Sequence, residues 1–468
     1  GVGFHKSEAT HQNCKWILTT MNFWKHANIV ASGLILSTTI GVLPILAETT
    51  APSYSEYSIP SELQSITIGR DGFSATETSE MRRSYHPEAG VTAGDIGAYF
   101  ASRLSEQGPS AIVHRMGAVS ELKMSPMKEI SEVVAVTDLG TLSLQHALED
   151  GRSRIKAFAV IHKGELVFEE YVGIREWDNH LWASATKILT GSVLHLLSEE
   201  GLVDLTAKIP SYLPELEGTA WDDVAVADAL HMRSGLDISE GRLGSSPDHP
   251  VTQLYAIAQG DTSLPGGLTL SDAIKASERS GEPGAVFEYG SINTHAIALI
   301  SERVTGKPIE DLITEKIWGQ AGMEGDGVLG LSAGGEPLPF GVFAARLRDL
   351  GRFGVMFTPS WNAVSKERVF SEDYLDKVGQ SARPETYGKD YMSKRILAQF
   401  GAENVGASYQ WDAVFSDGDL YKSGRTGQGL YVSPGTDTVV VWFSSAYKAE
   451  LWVHAYAREI VQQVFRNN

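Results

Sequence analysis

Strand-forming runs at both ends of one long stretch of this chain do most to limit its fold. Residues 157–161 and 166–171 are β-type runs, and His162-Lys163-Gly164-Glu165 between them has the make-up of a hairpin turn. Far downstream, 429–432 and 438–443 are of the same kind, with Pro434-Gly435-Thr436-Asp437 as their turn. The residues in between carry mainly helical periodicity, and 451–465 reads as a final amphipathic helix. Ser143 can cap a short helix through Glu149 just before the first strand. This layout predicts an α+β fold: an antiparallel sheet flanked by N- and C-terminal helices, with a mostly helical lobe inserted between its strands. The cleft between sheet and lobe is where a site is expected.

The chain ahead of that region has a different composition. Met21-Asn22-Phe23-Trp24-Lys25-His26 is a short basic start, 27–46 is uncharged and largely apolar, and Ile45-Leu46-Ala47 offers small-residue cleavage before Glu48. That is the grammar of a secretory signal peptide, so a secreted or periplasmic protein is expected. A retained anchor is the competing reading, because the apolar run nears spanning length. Asn28, Gly33, Gly41 and Pro44 make it a poor anchor, and no stable membrane insertion is expected after cleavage. Three regions follow: 1–47, upstream residues and signal peptide; 48–140, a linker and N-terminal extension within which 93–107 looks helical; and 141–468, the main domain.

The single cysteine, Cys14, lies ahead of the cleavage point. A disulfide framework, a thiolate metal site and a cysteine nucleophile are therefore all excluded from the mature chain. No metal or other cofactor is expected. The formal charge of −19 repels nucleic acid and anionic membranes, so neither is an expected partner.

Chemistry concentrates at Ser184-Ala185-Thr186-Lys187. A hydroxyl and an amine one helical turn apart share a face. Serine needs a base to become a nucleophile, and a desolvated lysine can supply one near neutral pH. The same spacing occurs at Ser120/Lys123, Ser125/Lys128, Ser153/Lys156 and Ser445/Lys448. Only Ser184 opens a long apolar helix, with Ile188, Leu189, Val193, Leu194, Leu196 and Leu197 in step and Gly201 as the stop. Two further pieces suit an acyl-transfer site. Tyr289 sits before a helix over 296–304 and can act as a phenolate, or as a hydrogen-bond relay, if a nearby lysine lowers its pKa. Lys422-Ser423-Gly424-Arg425-Thr426-Gly427-Gln428 is a glycine-rich stretch whose backbone can approach a substrate closely and donate to an oxyanion. Asp349 and Arg352, one turn apart, read as a local pair.

These pieces, in this order, resemble the serine β-lactamase and penicillin-binding-protein superfamily, in its class C-like branch, which includes family VIII carboxylesterases, D-alanyl-D-alanine peptidases and 6-aminohexanoate-dimer hydrolases. The resemblance covers roughly 142–465. Trp182 through Lys187 matches the first motif, S-x-x-K. Leu230-His231-Met232-Arg233-Ser234-Gly235-Leu236, Gly284 through Asn293, and Ala344 through Gly354 resemble three further family stretches. The resemblance implies a β-lactamase/transpeptidase-like fold and catalytic roles for Ser184, Lys187 and Tyr289. It also implies an oxyanion hole of the Ser184 and Arg425 N–H groups, and substrate contacts from Lys422, Ser423, Gly424, Ser291 and Asn293. The second motif departs from Y-x-N: Tyr289-Gly290-Ser291 has serine third, and Asn293 lies two further on. The third motif has two registers, Lys422-Ser423-Gly424 and Arg425-Thr426-Gly427, and the first is preferred. The expected partner is a small amide or ester, with or without a carboxylate; the oligomeric state stays open. The alternatives are a β-lactamase or D-alanyl-D-alanine carboxypeptidase and, in another class, a catalytically weak cell-envelope binding or regulatory protein.

Overall fold

The structure, a computed structural model, describes residues 66–87, 89–91, 95–261, 267–446 and 453–466. The expected signal peptide, Cys14 and the first part of the extension, through residue 65, lie outside the described residues.

In chain order the strands are β1 (Ser110–Val113), β2 (Val134–Thr137), β3 (Gly140–Ser143), β4 (Ile155–His162), β5 (Glu165–Tyr171), β6 (His180–Leu181), β7 (Gly327–Gly330), β8 (Phe343–Ala345), β9 (Ala413–Val414), β10 (Leu420–Ser423), β11 (Gly429–Ser433) and β12 (Thr438–Ser444). Six of them form one antiparallel sheet in the order β5-β4-β12-β11-β10-β9. The β4–β5 hairpin thus pairs through β4 with β12, Val440 opposite Val160 and Val441 opposite Ala159.

Both faces of this sheet are covered. Alternate residues of a strand point to opposite sides. Ala157, Ala159 and Ile161 of β4 join one core with Val439, Val441 and Phe443 of β12. Phe158 and Val160 join the other, with Val440 and Trp442. Four helices matter for the site and its support: α1 (Lys187–Glu199), α2 (Ser291–Thr305), α3 (Leu347–Val355) and α4 (His454–Ile460). On the first face lies α3, packed on β4, β11 and β12. It comes close because it presents glycines: a Cβ on Gly351 would stand 2.6 Å from Ile161 Cδ1, and one on Gly354 would stand 2.5 Å from Val439 Cγ1. The other face carries α4, which packs on β2 and β11. Between β5 and β9 in the chain runs the inserted lobe, where α1 packs against α2.

The α+β arrangement agrees with the sequence reading, and Ser143 does cap a helix, Leu144–Glu149, through its hydroxyl. A second sheet was not anticipated. Its order is β1-β7-β8-β6. Strands of two to four residues are too short to show a period-2 pattern. β1 comes from the 48–140 extension, and more of that segment is bonded at the start of β4: Asp95 pairs with Arg154, just ahead of the strand, at 3.0 Å, and Ala98 O accepts from Lys156 Nζ at 2.7 Å. The helix expected over 93–107 is shorter, Asp95–Phe100 followed by a 3₁₀ turn at Leu104–Glu106. The final helix is α4 followed by a π turn, Val461–Arg466.

Candidate active site

The strand β6 pairs with β8 and delivers the chain to Ser184. Trp182 N donates to Phe343 O at 2.7 Å, and its indole packs among the rings of Trp318, Phe343 and Phe353. Ala183 then takes a left-handed φ of 48°, a conformation an L-residue holds only when its surroundings enforce it. Residues Ala183–Thr186 form a 3₁₀ turn that runs into α1. With three residues per turn, positions i and i+3 eclipse. Lys187 Nζ accordingly lies 3.1 Å from Ser184 Oγ. Ala183, Ala185 and Thr186 are buried and Ser184 is partly open to solvent.

Lys187 is fully buried. Its other neighbours are Phe340 O at 2.6 Å and the Glu240 carboxylate at 3.7 Å. Burial lowers its pKa to about 8, with Glu240 opposing that shift and Lys422 adding to it. A neutral amine has two N–H donors and one lone pair. Phe340 O takes one donor, and the lone pair can face the Ser184 hydroxyl.

Tyr289 is the hinge of the site. Its N–H donates to Asp390 Oδ2 at 3.2 Å, and its carbonyl accepts from Glu240 N at 2.9 Å. Gly290 must follow, because a Cβ there would stand 2.5 Å from Ile238 O. The ring lies between two lysines, with Lys187 Nζ and Lys422 Nζ each 5.1 Å from its centroid. Burial first, then the carboxylates of Asp412 and Glu240, push the phenol well above its ordinary pKa, and the Ser184 hydroxyl pulls the other way. At neutral pH Tyr289 is therefore a protonated donor, not a phenolate.

Lys422 and Ser423 lie within β10, opposite Leu430 and Gly429 of β11. Of the two registers, Lys422-Ser423-Gly424 is the one on the strand, and Arg425-Thr426-Gly427 forms the turn that follows. The end of β10 runs beside the Ala183–Thr186 turn. Contact is close enough that a Cβ on Gly424 would stand 2.6 Å from Trp182 O. Inside the turn Gly424 N bonds Gln428 O at 2.8 Å, Thr426 N bonds Gln428 Oε1 at 3.1 Å and Gly427 N bonds Gly424 O at 3.1 Å. The Arg425 N–H has no partner among the described residues.

Ser291, in the place of the usual asparagine, begins α2 and turns away from any substrate role as a free group. Its N–H donates to Glu240 Oε1 at 3.1 Å, its hydroxyl bonds the same oxygen, and Tyr255 OH lies 3.2 Å from Ser291 Oγ. Asn293 is buried in the first turn of α2, and its amide bonds none of these groups. Two carboxylates escaped the sequence reading. Glu240 sits in a 3₁₀ turn with no motif around it. Asp412, 1 % exposed, holds Lys422 Nζ at 2.7 Å, Ser423 N at 2.9 Å and Ser423 Oγ at 2.6 Å. The only advance sign of Asp412 was an acid among the aromatics ahead of β10.

Residues 144–462 match the β-lactamase family model. The chain belongs to the β-lactamase family. Within that family of hydrolases, the chain is 27% identical over 347 residues to the 6-aminohexanoate-dimer hydrolase of Paenarthrobacter ureafaciens, a match covering 74% of this chain and 84% of the relative. Among solved structures, one titled "Putative 6-aminohexanoate-dimer hydrolase from Bacillus anthracis" superposes with a TM-score of 0.70 at 21% identity, covering 82% of this chain and 97% of that one. A hydrolase with promiscuous acyltransferase activity superposes with a TM-score of 0.50 at 14% identity, covering 68% and 96%. These superpositions agree with the sheet-and-lobe fold.

Proposed function

We propose that this protein is a serine hydrolase of small amides or esters that works through an acyl-enzyme on Ser184, with an activity most like that of 6-aminohexanoate-dimer hydrolases. The observation that carries this reading is the convergence of Ser184, Lys187, Tyr289 and the Arg425 N–H, which has no partner among the described residues, from three separate parts of the chain. Ser184 Oγ bonds to the substrate carbonyl carbon as its proton passes to Lys187. The oxyanion is held by the N–H groups of Ser184 and Arg425. Tyr289 gives its proton to the leaving amine or alcohol as that bond breaks, and Lys187 returns a proton to Tyr289. Water then attacks the acyl carbon with the same groups in reverse, freeing Ser184.

The basic-then-apolar segment 21–47 supports an exported protein; N-terminal sequencing of mature protein should begin at Glu48.

The deciding experiment uses protein from Glu48 onward. A fluorophosphonate probe should label Ser184, located by peptide mass spectrometry, and a p-nitrophenyl ester and a linear amide dimer should be hydrolysed. Ser184→Ala should lose labelling and turnover together. Turnover surviving in that variant would sink the proposal. A chromogenic cephalosporin and a D-Ala-D-Ala peptide belong in the same panel, and preferential cleavage of either would move the assignment to a β-lactamase or a peptidase.

A further inference from the structure

Lys422 and Arg425 stand on either side of the bend at Gly424, and each is a cation that a substrate carboxylate can seek. Their surroundings differ. Lys422 is fully buried. Its ammonium has three donors, and three protein acceptors surround it: Asp412 Oδ1 at 2.7 Å, Ser423 O at 3.2 Å and Tyr289 OH at 3.3 Å. Asp412 neutralises its charge. A carboxylate arriving at Lys422 must displace Asp412 and leave that carboxylate buried without its cation, which is strongly unfavourable. Arg425 is exposed, and its guanidinium has no ion pair among the described residues. Its positive charge reaches Tyr255, whose hydroxyl contacts Ser291 on the Glu240 side of the cleft.

We propose that Arg425, and not Lys422, is the anion-recognising residue of this site, and that the substrate carries its carboxylate on a flexible spacer away from the scissile carbonyl. The inference rests on the acyl-enzyme reading above. Since the Arg425 amide belongs to the oxyanion hole in that reading, its guanidinium lies a full side chain from the reacting carbonyl. A spaced carboxylate can take the bidentate pairing that a guanidinium offers.

The test compares two matched pairs: p-nitrophenyl hexanoate with the mono-p-nitrophenyl ester of adipate, and hexyl hexanoate with 6-(hexanoyloxy)hexanoate. These place the carboxylate on the acyl and on the leaving side respectively. The measured quantity is the anionic-to-neutral ratio of kcat/KM. In Arg425→Met that ratio should fall by about tenfold or more for at least one pair, with Arg425→Lys recovering part of it. In Lys422→Met the ratio should hold, because Lys422 acts on both members through Tyr289. A ratio that falls in Lys422→Met, or stays level in Arg425→Met, overturns the inference. If Lys422→Met does not fold, the exposed Arg425 variants decide alone. Intact Ser184 labelling with an unmoved ratio defeats this inference only; absent labelling defeats the acyl-enzyme reading and this inference with it.

Discussion

Glu240→Gln should move the acidic limb of the pH–rate profile downward. Burial holds Lys187 at about 8, below its ordinary 10.5. About one lysine in eleven is then neutral at pH 7, and turnover should climb roughly tenfold between pH 7 and 9 as the free base accumulates. The Glu240 carboxylate, 3.7 Å away, favours the charged form. Unit charges about 4 Å apart attract by about 1 kcal/mol in water and about 4 kcal/mol at the effective dielectric of a protein. At about 1.4 kcal/mol per unit, losing that attraction lowers the Lys187 pKa by about one to three units. The amide keeps an oxygen for the N–H and hydroxyl of Ser291, so the pocket retains its shape. The assay is kcat/KM for p-nitrophenyl hexanoate between about pH 5 and pH 10. The wild type should show a limb near pH 8, the variant a limb about one to three units lower and the higher relative activity at low pH. A limb that stays in place or moves up refutes the assignment of Lys187 as the base under Glu240 control.

Tyr289→Phe removes the proposed proton donor but keeps the ring between the two lysines. It should cost about a hundredfold to ten-thousandfold in kcat with little change in melting temperature. Gly424→Ala puts a methyl group 2.6 Å from Trp182 O and 2.8 Å from Gln428 Oε1. The turn must shift, and a displaced Arg425 amide should cost about a hundredfold or more in acylation rate, read by stopped-flow with the fluorophosphonate. Asp349→Ala takes one of two carboxylates from buried Arg352, which keeps Glu324 at 2.9 Å and Ser120 O, and it leaves the N–H groups of Glu324 and Gly325 without their acceptor. A loss of about 1–3 kcal/mol in urea unfolding is expected, without a change in the pH profile of the folded fraction.

What could be read in advance depended on range. The Ser184–Lys187 contact is local, three residues apart on a turn, so spacing alone foretold a distance now seen at 3.1 Å. Strands β4, β5, β11 and β12 are long enough for their composition to speak. Strands β1, β6, β7 and β8 are not, and they exist because partners distant in the chain complete their ladders. Glu240 and Asp412 were hidden for the same reason. Each draws its meaning from a residue far off in sequence or from a bend no pattern marks: Glu240 from Lys187, and Asp412 from Lys422, ten positions on across the turn into β10. The serine at 291 read as a missing amide. In space it is the anchor of a carboxylate that faces Lys187.

The pairing of β4 with β12 also has a bearing on synthesis. The N-terminal hairpin leaves the ribosome with one edge of β4 open, and its neighbour in the sheet is the last strand to be made. Such long-range pairing closes slowly. Lys422 and the Arg425 amide ride on the same late segment as β12. A nascent or truncated chain therefore carries Ser184 and Lys187 with neither a finished sheet nor the Arg425 amide beside them. Hydrolytic power should appear only once the chain is whole, and exposed β4 makes any C-terminal truncation a candidate for aggregation before it is a candidate for partial activity.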